Sequence, residues 1–422
     1  MTFRDLGLMP SLLKSVSEKG FSQPSPIQQK AIPFILEGKD LLGGAQTGTG
    51  KTAAFALPVL QLLEKQNNRE HYPRALVLTP TRELAEQVHR SFIDFGSQLH
   101  QRCAALYGGV NINPQIQQIG HGVDVLVACP GRLLDLVNRG HLDLSRIKFL
   151  ILDEADRMLD MGFLHDIRKL ISLLPSQRQN LLFSATYSDS IRKFACNILK
   201  QPILVEVSKK NEAAHQVAQS VCHVAADQKK NMLIKLIRSE HRAQALVFTR
   251  TKHGANKLAQ HLDKQGIDAD AFHSNKSQSA RTNSLNRFKN NHIQVLVATD
   301  IAARGIDIEK LPWVINFDLP NVPEDYVHRI GRTGRAGETG RAVSLVTPDD
   351  IHLLRQVEKL LGNSIDRNNS AEPIPSDESQ TTVPPSDPIP FHHRKHRSKK
   401  NTTDRFKRRR RTTRSTATQQ SA

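Results

Sequence analysis

The sequence predicts an α/β chain built on two parallel sheets, and three observations carry that reading. Short apolar, β-branched runs alternate with amphipathic helical stretches. The runs are apolar almost throughout, as when helices cover both faces of a sheet. The series also occurs twice, on either side of a polar segment at 208–216 (SKKNEAAHQ) that suits a hinge.

In chain order the first series reads 40–43, 75–79 (ALVLT), 124–128 (DVLVA), 149–153 (FLILD) and 180–184 (NLLFS), with helical stretches at 83–99 and 188–199. The second reads 245–249 (ALVFT), 295–299 (VLVAT), 314–317 (VINF) and 342–346 (AVSLV), with helical stretches at 254–264 and 277–289. The expected organisation is a first domain at 1–207, a linker at 208–216, a second domain at 217–361 and a tail at 362–422. Beyond a loose similarity of the two halves there is no internal repeat.

The 422 residues include 59 Lys and Arg against 41 Asp and Glu, a formal net charge of +18. Residues 391–414 hold twelve of those cations and one acid, Asp404, so that block alone carries +11. Residues 363–390 are rich in Ser, Pro, Asp and Asn and cannot bury enough surface to fold alone. The tail is therefore expected to be a disordered, basic arm. No run of about 18 apolar residues is present, so no membrane span is expected. The N-terminal segment lacks the basic and apolar regions of a secretory signal. Cys103, Cys129, Cys196 and Cys222 are widely spaced with no CxxC, which suits reduced thiols in the cytoplasm.

Residues 45–52 read AQTGTGKT and lie between a strand and a helical run. Ala45, Gln46, Thr47, Gly48, Thr49 and Gly50 form a loop that ends in Lys51 and Thr52, as in a P-loop, although Ala45 replaces the usual first glycine. Its backbone N–H groups converge on phosphate at a helix N-terminus. Lys51 suits the β/γ-phosphates and the Thr52 hydroxyl a magnesium ion. Asp153-Glu154-Ala155-Asp156 ends the apolar run FLIL, at a strand C-terminus where ligands bind in open α/β sheets. Asp153 can hold magnesium opposite Thr52, and Glu154 can orient the attacking water. A nucleotide and Mg2+ are the expected ligands.

These residues resemble a DEAD-box RNA helicase, and 153–156 spells the family name. The resemblance covers about residues 1–361 and implies two tandem RecA-like domains. It gives Phe3, Phe21 and Gln28 to a Q motif that selects adenine, where Gln28 offers both a donor and an acceptor. It gives Pro80, Thr81, Arg82, Gly108, Gly109, Gly131 and Arg132 to the RNA sugar-phosphate backbone. Ser184 and Thr186, with Asp156 and His328, are implied to couple hydrolysis to strand opening. In the second half, 328–335 reads HRIGRTGR, and the resemblance makes Arg332 and Arg335 arginine fingers. Thr299, Arg304, Gln278 and Arg281 are implied to face RNA or the interdomain cleft, and Asp307 the ribose. Stretches at 156–165, 248–256 and 321–328 are similar to the RhlE-like bacterial subgroup. The sequence departs from the family pattern at Cys129, at Ser274 and at Gly43-Gly44.

The implied activity is ATP-dependent unwinding of short RNA duplexes or remodelling of RNA–protein complexes. The expected partners are RNA and proteins of ribosome assembly or RNA decay. A GTPase switch would need an Asn-Lys-x-Asp motif, which is absent. A DNA translocase shares the two-domain layout but not the DEAD spelling or the Q motif. A non-catalytic RNA clamp stays open as an alternative that ATPase assays separate.

Overall fold

The computed structural model describes residues 1–45, 48–66, 71–186, 188–207, 217–239, 243–303, 306, 308, 311–334 and 340–367. All of them lie within one compact unit, Met1–Glu372. The linker at 208–216, the tail from 368 onward, Gln46, Thr47, Arg304, Asp307 and Arg335 lie outside the described residues.

The first half forms a sheet from β1 (Leu41–Gly44), β2 (Ala75–Leu78), β3 (Cys103–Leu106), β4 (Val125–Ala128), β5 (Phe149–Leu152), β6 (Gln179–Ser184) and β7 (Ile203–Glu206). Its order is β3-β4-β2-β5-β6-β1-β7, parallel throughout. The second half forms β8 (Val217–His223), β9 (Ala245–Phe248), β10 (Ala269–Phe272), β11 (Val295–Ala298), β12 (Trp313–Asn316), β13 (Gly340–Val346) and β14 (Asp366–Arg367). That sheet is also parallel, in the order β10-β11-β9-β12-β13-β8-β14. Each sheet, counted from its own first strand, follows the same permutation. The loose similarity of the halves is thus a shared topology.

Side chains on the central strands alternate between two cores, because successive residues of a strand point to opposite faces. Leu41, Val77 and Ile151 pack into one, and Leu42, Leu76 and Leu150 into the other. Burying one such side chain fully contributes about 1.5–3 kcal/mol, and both faces of β2, β4 and β5 are buried. This double cover is why the runs in these strands are continuously apolar.

Gly43 has a packing cause. It pairs with Phe183 on β6, and a Cβ at this position would stand 2.6 Å from the Phe183 ring. The ring occupies the space that a side chain on β1 would need.

Every strand that the apolar runs indicate is present, with ends shifted by a residue or two. Five further strands are β3, β7, β8, β10 and β14. Four of these are the sheet edges, and the incomplete burial of β3 and β7 weakens the apolar signal. The second sheet also runs past residue 361, since Asp366 and Arg367 pair with Ser220 and Val221. All four cysteines are free. No helix among the described residues is long and apolar enough to cross a membrane.

Candidate active site and RNA face

The parallel order brings the C-terminal ends of β1, β5 and β6 side by side, which is where open α/β sheets bind ligands. The loop after β1 leads through Gly48 and Gly50, both at positive φ, into the helix Lys51–Lys65. Gly50 is the N-cap of that helix at φ 88°, a left-handed conformation that glycine adopts without steric cost. The loop glycine is further required by Gln28, because a Cβ on Gly50 would lie 2.4 Å from Nε2 of Gln28.

Gln28 joins the Q-motif segment to this loop. Ser25 and Gln28 form a capping box at the start of the helix Pro26–Leu36, with Ser25 N donating to Gln28 Oε1 at 2.9 Å. Gln28 Nε2 donates to the Gly50 carbonyl at 3.0 Å. The amide keeps one N–H and one lone pair beyond these two bonds. Phe21 leaves nearly half of its surface open, whereas Phe3 is buried in the core. Ala45 is buried, and its N–H donates to the Ser184 carbonyl at 3.2 Å.

Lys51 is buried, and its ammonium has no hydrogen-bond partner among the described residues. Leaving a buried cation unsatisfied is costly, so this ammonium suits an anionic ligand. Thr52 follows it, half-buried. Asp153 and Glu154 are buried at the end of β5. Burial pushes the Asp153 carboxyl up to about 6, with Lys51 acting against the shift and Glu154 adding to it. Glu154 itself lies at φ 54°, ψ 52°. That left-handed conformation is uncommon for a residue other than glycine and concentrates at functional sites. It starts the helix Ala155–Asp160 directly off the strand end.

Asp156 is a junction. Its Oδ2 accepts from Ala185 N at 3.1 Å, Thr186 N at 3.1 Å and Thr186 Oγ1 at 3.2 Å, while Oδ1 accepts from Arg157 N at 3.0 Å. Ser184 Oγ donates to the Thr186 carbonyl at 2.8 Å. The acid loop and the segment after β6 are therefore tied together.

The expected RNA-facing residues form a second cluster. Thr81 caps the helix Arg82–Phe95 by accepting from Leu84 N at 3.3 Å. Pro80 precedes it, and Arg82 Nη1 donates to Gln278 Oε1 at 3.4 Å. Glu83 Oε1 accepts from Gln278 Nε2 at 3.1 Å, and Glu83 Oε2 forms a buried ion pair with Arg281 at 2.8 Å. Gly109, at φ 78°, lies against the Arg82 guanidinium, which a Cβ would strike at 2.2 Å. Gly108 is half-buried and Gly131 exposed, and Arg132 Nη2 donates to the Val110 carbonyl at 3.1 Å. Cys129 precedes the helix Pro130–Asn138 as a cap residue with no side-chain cap bond, as expected where a hydroxyl is replaced. Its thiol is pushed up to about 12 by burial. Ser274 is exposed.

In the second half, Thr299 is buried after β11, and its carbonyl accepts from Ala302 N at 3.1 Å. His328 is half-buried on the helix Pro323–Ile330. Arg332 is buried, with Nη1 donating to the Ile306 carbonyl at 2.9 Å.

Three residues that sequence reasoning did not single out stand out here. Arg329 is buried, grips Asp300 through Nε at 2.5 Å and Nη2 at 2.7 Å, and donates to Asn316 and to the Asp318 carbonyl. Its guanidinium carbon stands 4.9 Å from the Phe248 ring centroid. Arg157 and Asp325 form an ion pair between the two halves at 2.6 Å. Arginine beside the DEAD string was the available signal for Arg157, but nothing local pointed to its partner.

Two parallel-sheet lobes, a phosphate loop on a helix N-terminus and a strand-end acid pair define a P-loop nucleoside triphosphatase. A DEAD/DEAH box helicase model matches residues 25–194, and a helicase conserved C-terminal domain model matches 228–337. The chain is 43% identical over 366 residues to the DEAD-box ATP-dependent RNA helicase CshA of Geobacillus kaustophilus, covering 87% of this chain and 78% of that protein. It is also 43% identical to the ATP-dependent RNA helicase CshA of Listeria monocytogenes, covering 85% and 68%. Among solved structures it is similar to S. cerevisiae Dbp5 bound to RNA and ADP BeF3, with TM-score 0.79, 32% identity and coverage of 87% and 95%. Another is the DEAD-box helicase Mss116 bound to ssRNA and UDP-BeF, with TM-score 0.80, 27% identity and coverage of 87% and 79%. The chain belongs to the DEAD-box ATP-dependent RNA helicases, enzymes that use ATP to unwind or remodel RNA.

Proposed function

We propose that this helicase closes its two lobes, 1–207 and 217–361, around ATP and single-stranded RNA, and that hydrolysis at Glu154 lets them reopen. The buried, unpartnered Lys51 ammonium beside Asp153 is the observation that carries the reading. A triphosphate supplies such an anion, and 45–52 supply backbone donors for it. Phe21, with Phe3 packed in the core behind the same N-terminal segment, and Gln28 are assigned to the adenine. Gln28 has one proton and one lone pair to give the base while still holding Gly50. Asp307 is assigned to the ribose.

The residues present fit a magnesium ion. Asp153 is a buried carboxylate beside the Lys51 ammonium, and Thr52 follows Lys51 on the same helix. No group of three or more His, Cys, Asp or Glu that could hold a metal occurs among the described residues. That suits Mg2+, which keeps phosphate oxygens and waters as most of its ligands. When bound it would neutralise charge building up on the phosphate oxygens. Glu154 orients the attacking water and takes its proton. Arg332 and Arg335 come from the opposite lobe to stabilise the transferred phosphoryl group. Asp156, held to Thr186, passes the change to the lobe contact together with Ser184 and His328.

RNA backbone is assigned to Pro80, Thr81, Arg82, Gly108, Gly109, Gly131 and Arg132 on one lobe, and to Gln278, Arg281, Thr299 and Arg304 on the other. The Glu83–Arg281 and Arg82–Gln278 contacts, which bring members of both sets side by side, support this assignment. A cytoplasmic site of action and protein partners in ribosome assembly or RNA decay complete the proposal. Kinship with the RhlE-like subgroup rests on 156–165, 248–256 and 321–328, since the relatives compared above carry the name CshA.

The test is Glu154→Gln against Lys51→Ala. Glu154→Gln should bind ATP and RNA yet turn over very slowly, leaving a long-lived closed complex. Lys51→Ala should lose ATP binding. Wild-type turnover by Glu154→Gln would remove the water-orienting role.

A further inference from the structure

Outside its tail, 362–422, the chain carries a net charge of +11, and most of that excess is concentrated in one stretch. Residues 229–289 hold thirteen Lys and Arg against four acids. Much of this charge lies on two neighbouring helices on one face of the second sheet, Lys229–Ser239 and Lys252–Lys264. Both bury their apolar residues in one core, Leu233 and Ile237 from the first, Leu258 and Leu262 from the second. Arg238 Nη2 donates to the Gln265 carbonyl at 2.9 Å and ties their C-terminal ends together.

Helical spacing sorts the remaining residues into stripes. On the second helix His253, Lys257, Gln260 and Lys264 fall within about 60° of one another around the axis, and all four are exposed. On the first helix Asn231, Lys235 and Arg238 do the same. Lys235, Lys257 and Lys264 have no acidic partner among the described residues, in contrast to Lys276, which pairs with Asp270 at 2.5 Å. Asp263, the one acid on the second helix, lies about 90° to the side of the stripe.

The stripe starts at the RNA face. Lys252 Nζ donates to Asn275 Oδ1 at 2.7 Å, just ahead of the helix that presents Gln278 and Arg281. From there the helix runs for 13 residues, about 20 Å at a rise of about 1.5 Å per residue.

We propose that Lys257 and Lys264, with Lys235 and Arg238 beyond them, form a second track for the RNA backbone, taking the strand as it leaves the cleft. The inference rests on the helicase reading above. RNA is the fitting occupant because the face offers cations, amides and imidazoles without an apolar anchor. None of the exposed large hydrophobic residues lies on either helix. A protein partner typically relies on aromatic or other buried anchors at the centre of its interface, whereas unneutralised cations and amide donors suit phosphate oxygens.

The test uses the full-length protein carrying Lys235→Glu, Lys257→Glu and Lys264→Glu together, with Lys257→Glu alone as a second variant. RNA-stimulated ATPase is titrated with a short strand that spans only the cleft and with one several times longer. For the long strand the half-saturating RNA concentration should rise several-fold in the triple variant, and to a smaller degree in the single one. Three lost phosphate contacts should flatten the slope of log K against log salt by about 2. The short strand and the maximal rate should be unchanged. Unaltered long-strand binding in both variants would overturn the track and leave the face to another partner. An equal loss for both strands would also overturn it, because the damage would then lie in the cleft. Failure of RNA to stimulate the wild-type ATPase would instead count against the helicase reading.

Discussion

Arg157 Nη1 lies 2.6 Å from Asp325 Oδ1, a buried ion pair across the two lobes. Arg157 follows Asp156 directly, and Asp325 stands one helical turn ahead of His328 and Arg329. The pair thus registers the acid loop of one lobe against the helix that leads to Arg332 in the other. Buried pairs are close to break-even in net stability, but removing one partner strands the other charge.

The pair predicts a non-additive mutant cycle. Arg157→Met or Asp325→Leu alone should weaken RNA binding in the presence of a non-hydrolysable ATP analogue by roughly 30-fold or more. The double variant should lose far less than the two single losses combined, since neither charge is then buried alone. ATP binding without RNA should be unaffected in all three. Additive losses would show that the pair does not act as a unit.

Asp153 predicts a pH-dependent stability difference in the nucleotide- and metal-free protein. Its carboxyl is raised from 3.8 to about 6 by burial, so the folded state holds its proton more tightly than the unfolded chain. The stabilisation this gives is complete below pH 3.8 and is lost as pH rises through about 6. At pH 7.5 the wild type carries a buried charge that Asp153→Asn removes, worth on the order of 3 kcal/mol. Melting in the presence of a chelator should show the variant more stable at pH 7.5, with the gap closing towards pH 5. A gap that does not change with pH would contradict the burial argument.

Gly43→Ala places a Cβ 2.6 Å from the Phe183 ring in the middle of the first sheet. Overpacking of this kind typically costs about 1–3 kcal/mol. Denaturant unfolding should show that loss, and Phe183→Leu in the same chain should recover part of it. If Gly43→Ala is as stable as the wild type, the ring does not fix this glycine.

For the basic tail the cut belongs after Arg367, since Asp366 and Arg367 pair with β8. If about five of its cations engage a single strand at once, removing the tail should flatten the salt dependence of RNA binding by roughly 3.5. The maximal ATPase rate at saturating RNA should fall little. An unchanged slope would assign the tail to something other than RNA.

Much of the fold was legible because its signals are local. Strands such as Ala75–Leu78 and Phe149–Leu152 are buried on both faces and so are apolar at every position. Edge strands are not. Cys103–Leu106 and Ile203–Glu206 are only partly buried, and no local pattern separates them from loops. The loop glycines, Lys51 and the acid string were legible for a similar reason, since phosphate and water chemistry needs them close together in sequence.

The sequence by itself determined the two α/β halves, the phosphate loop, the acid string, the family and the charged tail. Tertiary structure alone decided which groups are already engaged and which are left open. It spends one acceptor and one donor of Gln28 on Ser25 and Gly50, leaves the Lys51 ammonium without a partner among the described residues, and joins Arg157 to Asp325 over a separation of 168 residues. Local spacing fixes periodicity and motif chemistry within a few turns of chain. Contacts between distant segments depend on how the sheets and helices pack, and no local pattern encodes that.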